Sequence, residues 1–154
     1  MTNELKLQTA DTETFREKFF TTAGRINRTT FLKRSIALVA INFAVLFLTA
    51  FILMLGTSST ELPQWANLIL FGITALFLIP DYCLKVKRLH DFGKDSTLAK
   101  IFLGISILTM TFGTDLNTAV SLSIFETATL SLPFVFLLYL LLKQGDDGAN
   151  EYGI

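Results

Sequence analysis

Residues 65–92, WANLILFGITALFLIPDYCLKVKRLHDF, decide the fold of this chain. Residues 65–84 are almost entirely apolar, and a helix of that length at about 1.5 Å per residue crosses a hydrocarbon core about 30 Å thick. The sequence then becomes charged, with three pairs at the spacing of neighbouring turns: Asp81 with Lys85, Lys87 with Asp91, and Arg88 with Asp91. Such pairs predict that the helix continues to Phe92, with Gly93 as its C-cap and its last two turns outside the bilayer.

Three further apolar runs, at residues 35–56, 98–113 and 120–142, accompany this segment. Of the 154 residues 51% are hydrophobic and 17% charged, which is too apolar for an ordinary soluble domain. The run at 98–113 is short, although Lys100 can extend its charged end to the interface. We therefore predict an all-α fold, an integral membrane bundle of four transmembrane helices in one domain over residues 1–154. Residues 1–34 form an N-terminal segment, 35–142 the four-span bundle and 143–154 a tail.

The basic residues predict the orientation of the bundle. All thirteen lysines and arginines fall before the first run, around the connection after the second, or just after the fourth. The loops at 57–64 and 114–119 contain none. Because basic residues are retained on the cytoplasmic side, this distribution predicts a multi-pass protein with both termini in the cytoplasm.

The composition also excludes several classes of function. The net charge is zero, so no overall basic field would recruit nucleic acid. Cys83 is the only cysteine, which excludes an intrachain disulfide and a cysteine-rich metal site. We predict no cofactor and no metal site.

A short amphipathic segment precedes the first run. Phe15, Phe19 and Phe20 alternate with charged residues, which is typical of an interfacial helix. Asp11 or Thr12 is its predicted N-cap, and Gly24 would end the segment before the first span begins.

Polar and small residues recur every seven positions within two of the runs, which favours faces that point into the bundle. The first series is Ser35, Asn42, Thr49 and Gly56, and the second is Asn67, Thr74, Asp81 and Arg88. Two ionisable residues, Asp81 and Glu126, fall within predicted spans. Ionisable residues at such depth leave open a small transporter or channel, although both lie near the ends of their spans.

The predicted topology brings three polar segments to the cytoplasmic face, and their residues form the candidate site. These residues are Arg25, Asn27, Arg28, Arg88, His90, Asp91, Gly93, Asp146, Asp147, Asn150 and Tyr152. The simplest interpretation is an ion-pair network that ties the tail beneath the bundle. The alternatives are an anionic headgroup or phosphate held by the arginines, and a divalent cation held by Asp146, Asp147 and Asn150, although Gly148 breaks the EF-hand pattern.

His90 beside Asp91 permits a third interpretation, that of an acid–base pair in a membrane-embedded enzyme. Adjacent helical residues point about 100° apart, so these two do not form a dyad unaided. We therefore predict that the chain is not an enzyme.

The motifs resemble those of a known family. Arg25-Ile26-Asn27-Arg28 with Phe31, KRLHDFGK at 87–94, and the glycines at 145–148 with Asn150-Glu151-Tyr152-Gly153 are similar to three signatures of a bacterial inner-membrane family. It is known as domain of unknown function 805. Asp95 and the Asp146-Asp147 pair depart from its pattern. The resemblance implies four spans in the inner membrane, but it implies no catalytic residue because the family has no settled activity.

The leading hypothesis is a non-enzymatic bundle whose cytoplasmic face binds membrane lipids through anionic headgroups, or binds a partner protein or a second copy. The alternatives are a transporter or channel subunit that uses Asp81 and Glu126, and an enzyme that uses His90 and Asp91.

The topology can be tested with two reporters. A reporter fused after Ile154 should give a cytoplasmic signal, and one inserted near Ser59 should give an external signal, because the loop at 57–64 has no basic residue. A cytoplasmic signal at Ser59 would overturn the four-span topology.

Overall fold

The chain forms five α-helices and no strand within the residues that its computed structural model describes. These residues are 13–56, 63–112, 124–146, 148 and 151–152, without the side chains of 112 and 124–130. The helices are α1 (Phe15–Phe19), α2 (Arg28–Leu55), α3 (Gln64–His90), α4 (Thr97–Phe112) and α5 (Ile124–Leu142). The prediction of an all-α fold is confirmed.

Two helices have the length and apolar composition of a membrane span. These are α2, with 28 residues, and α3, with 27, which corresponds to about 40 Å of helix each. The α4 helix has 16 residues, as expected from the short third run, and the 131–142 part of α5 is likewise a short apolar helix. No residue in the most apolar 18-residue part of α2 is buried within the chain.

The α3 helix is the centre of the bundle, since it packs against each of the other four helices. It ends at His90, two residues earlier than predicted. Two backbone bonds close its end, from Gly93 N–H to the carbonyl of His90 at 3.1 Å and from Lys94 N–H to that of Leu89 at 3.0 Å. Gly93 has a φ of 63°, a conformation that L side chains rarely adopt. The predicted capping role of Gly93 is thereby confirmed.

The buried core is concentrated at the end of the bundle where α3 terminates. It joins Phe31 and Leu38 of α2 to Leu84, Val86 and Leu89 of α3. The other members are Phe19, Ala99, Phe136 and Leu140 of the remaining helices, and Ile26 and Phe92 of the connecting segments. Phe136 stacks on Phe102 with ring centroids 3.9 Å apart, which joins α5 to α4. The remaining surfaces of α2 and α3 expose large apolar side chains, so tight packing fixes one end of the bundle.

The α1 helix confirms the predicted amphipathic segment, but its cap differs. Thr14 is the N-cap, through a capping box with Glu17, whereas Asp11 and Thr12 lie outside the described residues. Hydrogen bonds from the backbone N–H and the hydroxyl of Thr14, both 2.8 Å, lower the pKa of the Glu17 carboxyl. Phe19 is buried in the core, while Phe15 and Phe20 are exposed. Only the last two can therefore face a bilayer.

The first polar series matches its predicted inward face better than the second does. Ser35, Asn42 and Thr49 are half-buried on a helix that is otherwise mostly exposed, as expected for an inward face. Asn67 is exposed, and with Thr74 it lines a groove of about 700 Å³ between α2, α3 and α4. The second series therefore packs tightly only towards the Arg88 end of α3.

A matched pair of phenylalanines tests the location of the core. Phe31→Ala should lower the free energy of unfolding by about 3–5 kcal/mol, because Phe31 is 1% exposed in the core. Phe43→Ala should change it by ~0.5 kcal/mol or less, because Phe43 is 70% exposed. Unfolding in mixed micelles of increasing denaturing detergent measures both. Equal decreases in the free energy of unfolding of the two variants would contradict a core confined to one end of the bundle.

Candidate functional site

The guanidinium of Arg88 is the centre of the site. Arg88 lies in the last turn of α3 and is 1% exposed. Its Nε donates to the carbonyl of Leu140 at 2.8 Å, and its Nη2 donates to that of Lys143 at 2.6 Å. These carbonyls belong to the end of α5, where the last turn of a helix leaves acceptors without intrahelical partners. Arg88 therefore caps the C-terminal end of α5 with two charge-assisted hydrogen bonds.

The remaining nitrogen of Arg88 connects two other segments. Nη1 donates to the Asp91 carboxylate and, at 3.4 Å, to the carbonyl of Ile26 in the N-terminal segment. The guanidinium carbon also lies 4.4 Å from the centre of the Phe92 ring, which covers one face of the charge. One buried cation thus contacts α3, α5 and the chain before α2.

Asp91 links this cation to a second arginine. Its Oδ1 accepts a hydrogen bond from Arg25 Nε at 3.2 Å, while Oδ2 accepts from Arg88. The other nitrogens of Arg25 donate to the carbonyls of Asp146 and Gly148, at 2.6 and 2.7 Å. The backbone N–H of Asp146 in turn donates to the Asp91 carbonyl at 2.7 Å. We call Arg25, Arg88 and Asp91, with the tail carbonyls that they bind, the clasp.

A glycine lets the tail reach the clasp. A Cβ built on Gly145 would lie 2.6 Å from Cγ of Asp91 and closer still to a carboxylate oxygen, so no side chain fits there. The neighbouring Gly148 has no atom within 4 Å of its Cβ position. The absence of a side chain at 145 is therefore a requirement of the packing.

His90 joins the tail through its ring. It stacks on Tyr152 with centroids 3.9 Å apart and planes within 4°, and its Nδ1 lies 3.2 Å from the carbonyl of Gly24. The ring thus contacts both terminal segments. It does not pair with Asp91, whose two oxygens are both occupied by arginines.

The N-terminal segment is fixed by α3 as well. The backbone N–H of Ile26 donates to the carbonyl of Lys87 at 3.3 Å, and Lys87 Nζ donates to the carbonyl of Glu17. The predicted pair of Lys87 with Asp91 is therefore wrong. Lys87 is 3% exposed and lies under α1, whereas the Asp91 oxygens are bound by the two arginines.

The structure brings together most of the predicted site residues that it describes. Arg25, Arg88, His90, Asp91 and Tyr152 meet, with Gly93 and Asp146 adjacent, so the expected contact of α3 with both terminal segments is present. Asn27 instead caps α2, since its Oδ1 accepts from the Thr30 N–H at 2.7 Å. The Arg28 guanidinium makes no hydrogen bond or ion pair within the described part of the chain and takes no part in the clasp.

Several residues of the predicted site lie outside the clasp or outside the residues that the structure describes. Asp147 and Asn150, which the metal hypothesis requires, lie outside the described residues, as does the side chain of Glu126. Within the described residues no three potential metal ligands cluster. Asp81 forms the predicted ion pair with Lys85, at 2.5 Å.

The sequence did not predict the backbone acceptors of the clasp. The carbonyls of Ile26, Leu140 and Lys143 carry no signature of residue type, so no motif could identify them. Gly145 did leave a signal, because a glycine just past the last span marks a position where the backbone can approach closely.

Comparison with known proteins identifies a family model and no individual relative. The model described as protein of unknown function (DUF805) matches residues 19–154. No curated protein and no solved structure matches the chain.

Substitution of two glycines in the tail should have different effects on its binding to the clasp. Gly145→Ala should release the tail, because its Cβ would overlap the Asp91 carboxylate, whereas Gly148→Ala should leave it bound. Proteolysis of the purified protein in mild detergent, followed by mass spectrometry, measures cleavage beyond residue 143. Equal cleavage rates in the two variants would show that the clasp does not hold the tail.

Proposed function

The chain belongs to DUF805, a family of proteins of unknown function, and from its clasp and its surface charges we propose a function as a lipid-binding membrane bundle. In this proposal four helices, α2 to α5, cross the bacterial inner membrane, and both termini lie in the cytoplasm. The cytoplasmic end binds anionic lipid headgroups and performs no catalysis.

The distribution of apolar surface supports the membrane placement. Exposed residues of α2 such as Val39, Phe43 and Phe47 are 63–70% exposed in the isolated chain. Such a surface is unfavourable in water and matches the hydrocarbon of a bilayer. The polar clasp lies before α2 and at the last turn of α3, where the basic residues are concentrated, which supports a cytoplasmic position for this end.

The geometry of the clasp supports a non-catalytic function. A general base needs a free acceptor within reach of a substrate, and both Asp91 oxygens accept hydrogen bonds from arginines. The His90 ring is stacked on Tyr152. The Asp81 carboxylate forms an ion pair with Lys85, so the presence of this charge requires no ion pathway.

One observation carries the proposal: at the end of the bundle with the clasp, some basic side chains are bound to acidic residues and others are exposed. Residues 13–34 contain six basic and two acidic side chains. Arg25 and Arg34 are bound to Asp91 and Glu13, whereas Arg16, Arg28 and Lys33 are exposed. Exposed basic residues beside a span attract an anionic leaflet by about 1 kcal/mol each.

Lipid analysis tests this function. The protein purified from native membranes in neutral detergent should carry more anionic phospholipid than the membrane itself. Replacing Arg16 and Arg28 by Gln should reduce this enrichment several-fold, whereas replacing Lys94 and Lys100 by Gln should reduce it less, since those residues lie outside segment 13–34. Mass spectrometry of the bound lipids measures the ratio. A lipid composition equal to that of the membrane would reject the proposal.

A further inference from the structure

A second groove, distinct from the clasp, lies between α2 and α5. Leu32, Ile36 and Val39 of α2 face Leu137 and Leu141 of α5 across a volume of about 430 Å³. Of the described residues that line this groove only Ser35 is polar. The groove is therefore a hydrocarbon surface at the end of the bundle that carries the clasp.

The dimensions of the groove fit a single chain of hydrocarbon. From Leu32 to Phe43 it follows α2 for about 16 Å, close to the thickness of one leaflet. A volume of about 430 Å³ over that length leaves a mean cross-section of about 27 Å². The groove is open along one side, so a slender acyl chain can enter it laterally from a bilayer.

A cation stands at the polar end of this groove. Arg28 lies one turn before Leu32 on the same face of α2 and is exposed. Within the described residues its guanidinium makes no hydrogen bond or ion pair, whereas Arg25, Arg34 and Arg88 each pair with a carboxylate. The first turn of α2 contains no acidic residue, so the positive end of the helix dipole adds to the charge of Arg28.

We propose that the α2–α5 groove binds one phospholipid with an anionic headgroup. One acyl chain lies along the groove, and the headgroup phosphate accepts hydrogen bonds from Arg28. The inference rests on the membrane placement and orientation proposed above, and it assigns the lipid a defined site.

Two pairs of variants test the site. Arg28→Gln removes the cation, and Lys33→Gln removes a charge about 100° around the helix from Leu32. Ala40→Leu fills the groove, while Ala37→Leu adds the same atoms on an exposed part of α2 that does not line it. Native mass spectrometry in neutral detergent, with added phosphatidylglycerol or phosphatidylcholine, counts the lipid molecules that remain bound.

The wild-type protein should retain one phosphatidylglycerol and much less phosphatidylcholine. Arg28→Gln and Ala40→Leu should each weaken this binding at least about fivefold, which corresponds to about 1 kcal/mol. Lys33→Gln and Ala37→Leu should change it less than twofold. Equal losses in both arginine and lysine variants would show general surface attraction and overturn the site.

The failure of this inference is separable from the failure of the proposed function. If anionic lipid is enriched in the purified protein but all four variants bind phosphatidylglycerol alike, the groove site is wrong and the proposed function stands. If no anionic lipid is enriched and none is retained, both are wrong.

Discussion

A buried guanidinium that donates hydrogen bonds to three segments is the constraint on which this structure depends. Removing Arg88 from water is costly, and the cost is offset only when each nitrogen has an acceptor. Those acceptors lie at Leu140, Lys143, Ile26 and Asp91, so the end of α5, the N-terminal segment and α3 have to meet at one point. Loss of the Leu140 or the Lys143 acceptor would leave a buried nitrogen of Arg88 without its hydrogen bond, which makes the arrangement specific as well as stable.

Two kinds of packing divide the bundle along its length. Around the clasp, Phe31, Leu84 and Leu89 are almost completely buried, and the Phe92 ring covers one face of the Arg88 guanidinium. Further along α2 and α3 the side chains are large, apolar and exposed, with open grooves between the helices. Lipid can occupy such grooves where water cannot do so favourably. A tightly packed polar end and a looser apolar part support the proposed function as a lipid-binding bundle.

The clasp also determines which charges remain available. Arg25 and Arg88 share the Asp91 carboxylate and donate their other hydrogen bonds to backbone carbonyls, so their nitrogens are already occupied. Arg28 belongs to the same sequence motif as Arg25, yet it is exposed and makes no hydrogen bond or ion pair among the described residues. The motif therefore contains two arginines with different functions. One holds the tail, and the proposed function of the other is to bind lipid.

The sequence by itself determined the elements with local causes. Apolar runs specify helices, Gly93 ends α3 because it can adopt a positive φ, and the spacings of Asp81 with Lys85 and of Arg88 with Asp91 specify ion pairs within one helix. Only the tertiary structure decided the partners that lie far apart in the chain. It directs Lys87 to a carbonyl under α1 and Arg88 to the end of α5. The physical reason is that periodicity encodes contacts within a turn, whereas every residue offers the same backbone carbonyl, and the fold alone selects which one a buried cation meets.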